Sequence, residues 1–449
     1  MELKDKVLQA HDRQLWLSPI LAKVGYNTPI GKLLRLVVYY MDAIIMLGAW
    51  KDFLYIRKEN LGDKYFAVDQ AIMHSSHSQV RELMYTEPQL RGNDLGIIRI
   101  LAPSYLLDNP LSLGTNGNEH TGVRALFFQA LPEPSEKADV LGRLVERSLT
   151  EATQQGQLHI GNDLPKILLK ILHEVVFDIS LSEAEVIASR TYIKGLPLAS
   201  LPNFVSKYLL AIKTAPNIRH RKYLIERYKQ SPKWASYLQT GSQYQLNEHQ
   251  IANSLFDMIH IAGTAGTSAL LGSVIGVLCL DNALRDQVIS ELNAVWNGNE
   301  SLNRNALEQS PLINNVILET ARLYPPVRFV SQLATESGEV AIAGQKCPFQ
   351  KGTRLLGSIF TANRDAIRYN NPDSFDLTRD FSDILSWNGE GHERACPGKS
   401  LSIGFIKIFC FYLFKKYQWN SFTDVKWDFE KVTAVTPNDL VLQGFTQRV

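Results

Sequence analysis

The longest apolar periodic segment of the chain, residues 247–280, most constrains what the chain can fold into. It reads NEHQIANSLFDMIHIAGTAGTSALLGSVIGVLCL, and its apolar positions recur at helical spacing. Its polar start makes it a poor membrane span, so the pattern predicts a central helix buried in a protein core. A stretch rich in glycine and threonine, AGTAGTS, interrupts the apolar pattern.

A second apolar segment follows a glycine-rich loop that carries Cys396, one of four cysteines. The loop reads WNGEGHERACPGK and leads into the run SLSIGFIKIFCFYLF. The first amides of a helix are unpaired and its dipole is positive there, which favours a thiolate over a thiol. Such a thiolate is a metal ligand or a nucleophile, and a buried structural cysteine is the remaining alternative, which suits Cys410 better.

The rest of the pattern predicts a mainly α-helical fold with small β-sheets at its edges. Hydrophobic residues make up 45% of the 449 residues, enough for a large core. There is no internal repeat, low-complexity segment or linker, so one domain spanning residues 1–449 is expected. Further helices are predicted within 119–131, 135–240, 281–296 and 303–324. Short strands are predicted within 334–358 and from 421 onward.

Charge and the N-terminal segment exclude several classes of protein. The net charge is +2 and no basic run is long, so no nucleic-acid partner is expected. Residues 1–50 are predicted to form an extension whose amphipathic helix, residues 33–50, contains Arg35 and Asp42. Each charge costs about 2.5–3.5 kcal/mol at the centre of a membrane span, so no integral span is expected. The predicted localisation is cytoplasmic, with peripheral membrane contact as the alternative.

Several short motifs precede the Cys396 loop in a fixed order. Glu319 and Arg322 form an ExxR pair, residues 361–365 read TANRD, and residues 371–376 read NPDSFD. An ExxR pair alone carries no information, but these motifs followed by ACPGK are highly specific. Their order resembles that of the cytochromes P450, which are haem-thiolate proteins, over nearly the whole chain from about residue 50. The resemblance implies a single triangular domain of that family's kind.

The resemblance also implies the cofactor and its axial ligand. Cys396 would bind the iron of haem b through its sulfur, and a thiolate ligand favours cleavage of an O–O bond. Glu319 and Arg322 lie one helical turn apart and can pair. Arg379 is implied as the third member of this group, which braces the haem loop.

Four basic residues are implied as ligands of the haem propionates. His120 and Arg124 are four residues apart near the start of a predicted helix, so both reach one face. Arg394 lies two residues before Cys396, and Arg328 follows the ExxR helix. A surface charge is the alternative role for each, most of all for His120.

The central helix departs from the family pattern where oxygen would be activated. The family usually carries A-G-x-acid-Thr-Thr, whereas residues 262–267 read AGTAGT. The acid is therefore replaced by Ala265 and the first threonine by Gly266, which leaves Thr267 as the hydroxyl. Because that acid–alcohol pair normally delivers protons, these three residues are the expected catalytic positions of an atypical member.

Helical spacing around Gly266 predicts which face of this helix meets the haem. Ile259, Ala262 and Gly263 on that face are the expected substrate-pocket residues. His260 falls to the side and is expected to be a satisfied structural histidine, with a proton relay as the alternative. The predicted stripe comprises Leu255, Ile259, Ala262, Gly263, Gly266, Leu270 and Ser273.

The cysteine loop departs from the family as well. An aromatic residue usually lies seven positions before the cysteine, where this chain has Gly389, and Trp387 lies two positions earlier. His392 takes the place of a usual glycine. The loop is therefore expected to be lengthened.

These patterns together predict a haem-thiolate oxidoreductase of the secondary-metabolism type. The expected reaction is mono-oxygenation or oxidative coupling of a small lipophilic or aromatic substrate. Electrons would come from an external ferredoxin and reductase if dioxygen is the oxidant. One alternative is a peroxygenase or a fatty-acid hydroperoxide isomerase or lyase. Another, of a different class, is a haem protein that only binds or senses a ligand.

Overall fold

The computed structural model describes most of the chain from residue 115 onward and short pieces before it. The predicted helix at 33–50 lies outside the described residues, so its interpretation stays a prediction. The described residues are 20, 23–24, 28–30, 67–68, 71–85, 91–92, 115–131, 133–134, 136–195, 211–296, 307–334, 336–342, 345–349, 354–429, 434–437 and 439–448.

The described part is mainly helical, as the periodicity predicts. The helices are α1 (His77–Tyr85), α2 (Gly117–Ala130), α3 (Ala138–Thr153), α4 (Ile160–Phe177), α5 (Glu183–Gly195), α6 (Ala211–Lys229), α7 (Trp234–Gln243), α8 (Glu248–Asp257), a π-helix (Met258–Gly266), α9 (Thr267–Leu280), α10 (Asn282–Trp296), α11 (Pro311–Leu323), α12 (Ile359–Ala362), a 3-10 helix (Ser386–Asn388) and α13 (Lys399–Lys416).

The strands form small sheets, which confirms the predicted fold class. The strands are β1 (Ala67–Val68), β2 (Ala71–His74), β3 (Arg91–Gly92), β4 (Gln157–His159), β5 (Phe329–Ala334), β6 (Gly338–Ile342), β7 (Gln345–Phe349), β8 (Arg354–Ser358), β9 (Tyr417–Gln418), β10 (Ser421–Phe422), β11 (Val441–Gln443) and β12 (Thr446–Gln447). The largest sheet has the order β1-β2-β8-β5-β3, in which β2 and β8 are parallel and the other pairs antiparallel. The smaller antiparallel sheets are β10-β11-β4, β12-β9 and β6-β7.

The predicted central helix is continuous from Glu248 to Leu280. It begins with a capping box, because the Asn247 side chain accepts the N–H of Gln250 and the Gln250 side chain accepts the N–H of Asn247. Of the described residues, this helix alone has the length and hydropathy of a membrane span, and 67% of its most apolar window is buried in the protein. Such burial agrees with the predicted core helix.

Two apolar clusters hold the helices together. The first surrounds α13, whose Phe405, Phe409 and Leu413 are buried against α3, α9 and α11. The second joins α2 and α4 to α6 and α8, with Phe177 stacked on Tyr228 at 4.0 Å between ring centroids. The central helix contributes to both clusters, so its position is set from two sides.

Candidate functional site

The Cys396 loop connects the 3-10 helix to α13. Three consecutive residues, Trp387, Asn388 and Gly389, have φ angles of 59°, 63° and 70°, so the chain turns sharply there. The N–H of Cys396 donates to the carbonyl of Trp387 at 2.8 Å and closes the loop. Cys396 is thereby fixed three residues before Lys399, the first residue of α13.

Cys396 is exposed as a residue, whereas its thiol lies in largely desolvated surroundings. Cys396 is exposed by its surface area, unlike the buried Cys279 and Cys410. Burial raises the pKa of its thiol, whereas a hydrogen bond from the Gly398 N–H and the charge of Arg124 lower that pKa. The net direction of the pKa shift is upward, and the expected thiolate stays a prediction. Desolvation outweighs the helix end here, and a bound cation would be needed to stabilise the anion.

Basic residues of α2 contact this loop directly. Arg124 donates from Nη1 to the carbonyl of Ala395 at 2.7 Å, one residue before the cysteine. Burial lowers the pKa of Arg124, and the nearby charge of Arg394 lowers it further. Two guanidinium groups held this close favour an anionic ligand.

His120 and Arg394 lie together beside Arg124. Arg394 is buried and donates to the carbonyl of Thr115 at 2.7 Å and to Nδ1 of His120 at 3.2 Å. Nε2 of His120 lies 3.2 Å from the carbonyl of Glu393. Because the arginine can only donate, Nδ1 accepts and Nε2 carries the proton, so this His120 is neutral. The structure therefore brings three of the four expected propionate ligands to the Cys396 loop.

The fourth residue of that set, Arg328, has contacts with other segments, and its expected role as a propionate ligand stays a prediction. Its side chain is buried over the Phe360 ring, 4.6 Å from the centroid, and donates to the carbonyl of Phe429 at 2.7 Å. These contacts join it to the C-terminal segment rather than to the loop.

The ExxR pair forms a buried ionic group with its predicted third member. Arg322 donates to both carboxylate oxygens of Glu319, at 2.7 and 2.8 Å, and both side chains are inaccessible to solvent. Arg379 donates from Nε to Glu319 at 3.2 Å. Ser386, in the 3-10 helix before Cys396, donates to the carbonyl of Ala321 at 2.8 Å. The group therefore anchors the segment that leads into the cysteine loop.

The π-helix changes which residues of the central helix face open space. A π-helix has wider turns, with bonds from residue i to i+5, and here the hydroxyl of Thr264 donates to the carbonyl of Ile259 at 2.7 Å. Ala262 is exposed, and a Cβ added to Gly266 would have no atom within 4 Å. These two residues border open space.

The surroundings of the predicted stripe differ from residue to residue, and its role as the haem-facing surface stays a prediction. Ile259 is fully buried in the second cluster, and a Cβ on Gly263 would lie 2.9 Å from Cδ1 of Leu172 in α4. Leu255 and Leu270 belong to the core, and Ser273 donates to the carbonyl of Val435. The wider turns of the π-helix shift the register, which sequence periodicity cannot show.

His260 lies in a buried polar network, as expected of a structural histidine. Its Nδ1 is 2.9 Å from the carbonyl of Phe256, and its Nε2 is 3.2 Å from the hydroxyl of Ser189 in α5. Burial holds the pKa of His260 well below its usual value. Both ring nitrogens have protein partners, so these contacts do not support the alternative of a proton relay to Gly266.

Sequence reasoning missed Tyr85 and the contacts of His392. The two rings lie 4.3 Å apart between centroids, and the Tyr85 hydroxyl donates to the carbonyl of Glu390 inside the loop. No local pattern announces the pair, because more than 300 residues of sequence separate its members. The substitution of a usual glycine by His392 was the available signal.

The chemistry of the donor set separates the open interpretations of Cys396. Among the described residues, no group of three or more His, Cys, Asp or Glu side chains could hold a bare metal ion. Cys396 could still bind a metal whose other ligands are supplied by a cofactor. Arg124 and Arg394 suit the carboxylates of such a cofactor. The helical fold and this site suit a protein of the haem-thiolate class.

Comparisons with known proteins agree with that class. The family model described as Cytochrome P450 matches residues 233–442, from just before α7 to β11. The matched residues make up somewhat less than half of the chain and include the ExxR pair and the Cys396 loop, so the match supports a member of this superfamily, whose cofactor is a haem iron.

Several characterised relatives are similar to parts of the chain. It is 24% identical over 232 residues to ferruginol synthase of Salvia pomifera, covering 49% of each chain. It is 26% identical over 200 residues to amorpha-4,11-diene 12-monooxygenase of Artemisia annua, covering 42% of this chain and 39% of that protein. It is 29% identical over 165 residues to a cytochrome P450 monooxygenase of Aspergillus niger, covering 34% and 33%. The chain thus spans about half or less of these relatives' length.

Proposed function

We propose that the chain is a haem-thiolate mono-oxygenase that binds haem b and oxidises a small lipophilic molecule. The observation that carries the proposal is that Arg124 and Arg394 lie beside Cys396, a residue with solvent exposure. The similar proteins named as a synthase, a hydroxylase or a monooxygenase support the same reaction type. When bound, the haem would supply the oxidising chemistry for insertion of oxygen into a C–H bond.

The residues of this chain would have separate tasks. Cys396 would hold the iron through its sulfur, and the guanidinium groups of Arg124 and Arg394 would bind the propionates. His120 would orient Arg394, to which its Nδ1 is bonded. The buried group of Glu319, Arg322 and Arg379 would keep the loop in place without touching substrate.

The opening beside Gly266 suits an apolar substrate. Ala262 and Gly266 offer small apolar surfaces. Such surfaces bind water weakly and leave room for a hydrocarbon. Ala265 has no group that can carry a proton. Thr267, half-buried one residue after Gly266, would be the hydroxyl that holds a proton at its Oγ1. Water or a substrate hydroxyl would provide the remaining protons.

Partners and location follow the same proposal. Electrons would come from an external redox protein of the ferredoxin and reductase type. A cytoplasmic location, or one peripheral to a membrane, remains the inference from the sequence. One domain over residues 1–449 is likewise proposed.

The reduced carbon-monoxide complex of the full chain tests the proposal. Thiolate ligation by Cys396 gives a red-shifted Soret band, and Cys396→Ala should abolish that band while Cys410→Ala keeps it. A wild-type spectrum without the band would overturn the assignment. Turnover of a lipophilic probe with NAD(P)H and a redox pair supports the mono-oxygenase. Turnover of a fatty-acid hydroperoxide without electrons would instead establish the peroxide-using alternative, and ligand binding without either turnover would favour the sensor.

A further inference from the structure

The segment before Cys396 has an unfavourable backbone conformation that other groups must hold. Trp387 and Asn388 have positive φ angles, which are sterically disfavoured for residues with a Cβ. Such conformations persist only where surrounding contacts over-determine them. The indole N–H of Trp387 donates to Ser402 in α13 at 2.9 Å, and the amide of Asn388 donates to the carbonyl of Arg394 at 2.7 Å.

His392 bridges the two sides of this loop. Its Nε2 is 2.6 Å from the carbonyl of Asn388, and the N–H of Arg394 lies 3.2 Å from its Nδ1. A backbone N–H can only donate, so Nδ1 is the acceptor and Nε2 carries the proton. One neutral imidazole thus ties the left-handed turn to the residue two positions before Cys396.

Tyr85 holds the same segment from α1. Its ring packs on His392 with 4.3 Å between centroids and a tilt of 46°. Its hydroxyl donates to the carbonyl of Glu390 and also accepts the N–H of Glu390 at 3.2 Å. Tyr85 and His392, which are far apart in the sequence, therefore both contact the tip of the loop.

The pair fills the space beside Gly389. A Cβ at Gly389 would lie 3.1 Å from the Tyr85 hydroxyl and 3.5 Å from Nε2 of His392. Charged neighbours complete the surroundings: Lys399 pairs with Glu390, and the guanidinium of Arg81 lies 4.6 Å from the centroid of Tyr85. Tyr85 from α1 therefore adds support from outside the loop to the bonds that Trp387 and His392 make within it.

We propose that His392 and Tyr85 are positioning residues that keep the Cys396 sulfur in place as the haem ligand. The inference rests on the proposed function and adds the residues that maintain its axial ligand. His392 acts through the Arg394 amide, and Tyr85 acts through His392 and Glu390. Neither needs to touch the cofactor.

The test follows the red-shifted Soret band of the reduced carbon-monoxide complex over time, at one pH, in the full chain. His392→Gly removes both hydrogen bonds of the imidazole. His392→Gln can keep the donor toward Asn388, and His392→Asn can keep the acceptor for Arg394. Loss of both bonds should shorten the half-life of the band about tenfold, and loss of one bond should shorten it less. Tyr85→Phe keeps the ring contact and should fall between wild type and His392→Gly.

Tyr223→Phe is the matched control, because this exposed tyrosine bonds to Glu185 on α5, away from the loop. The far-UV melting temperature separates positioning from a general structural role. Positioning predicts faster loss of the band with an unchanged melting temperature. A lowered melting temperature with a stable band, or wild-type half-lives in every variant, would overturn the inference. If His392→Gly does not bind haem, the half-lives of the band in His392→Gln and His392→Asn test the inference instead. A wild type without the band would refute the proposed function instead.

Discussion

Two glycines of the central helix lie in different surroundings, one in close packing and one beside open space. Gly263 and Gly266 are three residues apart in one π-helix. A Cβ at Gly263 would lie 2.9 Å from Leu172 and 3.1 Å from the carbonyl of Met258, whereas a Cβ at Gly266 would meet nothing within 4 Å. A methyl group would crowd its neighbours at the first glycine, whereas at the second it would enter open space.

Paired alanine substitutions should separate these two glycines. Gly263→Ala is expected to lower the free energy of unfolding by about 1–3 kcal/mol, because it overpacks the contact with α4. Gly266→Ala should leave that free energy unchanged or slightly raised, because alanine favours a helix and finds open space. Urea unfolding of both variants checks this. Equal losses for the two variants would contradict the described register of the π-helix.

At the scale of elements, a buried polar network fixes the π-helix against α4, α5 and α6. His173 in α4 donates from Nδ1 to the carbonyl of Leu169 at 2.7 Å, and its Nε2 lies 2.8 Å from the Tyr228 hydroxyl. Its ring meets that of His260 edge-on at 5.2 Å. The fully buried Arg221 of α6 pairs with Asp257, at the end of α8, at 2.8 Å. These contacts join the helices around the opening through hydrogen bonds that few other arrangements could satisfy.

The network predicts a loss of stability in mild acid. Burial lowers the pKa of His173 from 6.5 to about 4, so the unfolded chain takes up a proton first as the pH falls. The stability contributed by the neutral ring is complete above pH 6.5 and is lost between about 6.5 and about 4. At pH 5 the loss should be about 2 kcal/mol for this histidine.

Unfolding in urea at pH 7 and pH 5 measures that loss. In His173→Gln, the difference between the two free energies should shrink by about 2 kcal/mol, because glutamine does not titrate. His249→Gln, at an exposed position of α8, is the control and should keep the wild-type difference. The same pH dependence in wild type and His173→Gln would show that His173 is not the responsible group.

At the scale of the whole molecule, the C-terminal strands close the fold onto its middle. Strand β11 pairs with β4, so that Gln443 lies opposite Gln157. The N–H of Phe445 donates to the carbonyl of Gly156 at 2.9 Å, and its buried ring stacks on Tyr417 at 5.3 Å. These pairings connect the start of α4 to the end of α13.

Removing the ring of Phe445 should therefore weaken the entire domain. Phe445→Ala is expected to lower the free energy of unfolding by about 3–5 kcal/mol, as for other buried aromatic side chains. The neighbouring Thr446→Ala, at an exposed position, should change it by less than about 0.5 kcal/mol. Thermal unfolding of both variants is the measurement. A similar small effect in both would show that the C-terminal strands are not part of the core.

Local patterns in the sequence were sufficient for the helices and for the place of the reactive cysteine. Helical periodicity depends on residues three and four apart, and capping depends on residues such as Asn247 and Gln250, so both are legible in a short segment. The ordered motifs around Glu319, Arg322 and Cys396 likewise occupy short stretches. These parts of the prediction needed no knowledge of distant contacts.

Only the tertiary structure decided the register of the π-helix, the place of Arg328, the direction of the Cys396 pKa and the partnership of His392 with Tyr85. Each depends on groups brought together from distant parts of the chain. Desolvation of Cys396 and the packing of Gly263 are properties of the folded surroundings, which no local spacing encodes. The sequence by itself determined that a cysteine begins a buried helix, and the packing around it decided which residues hold that cysteine in place.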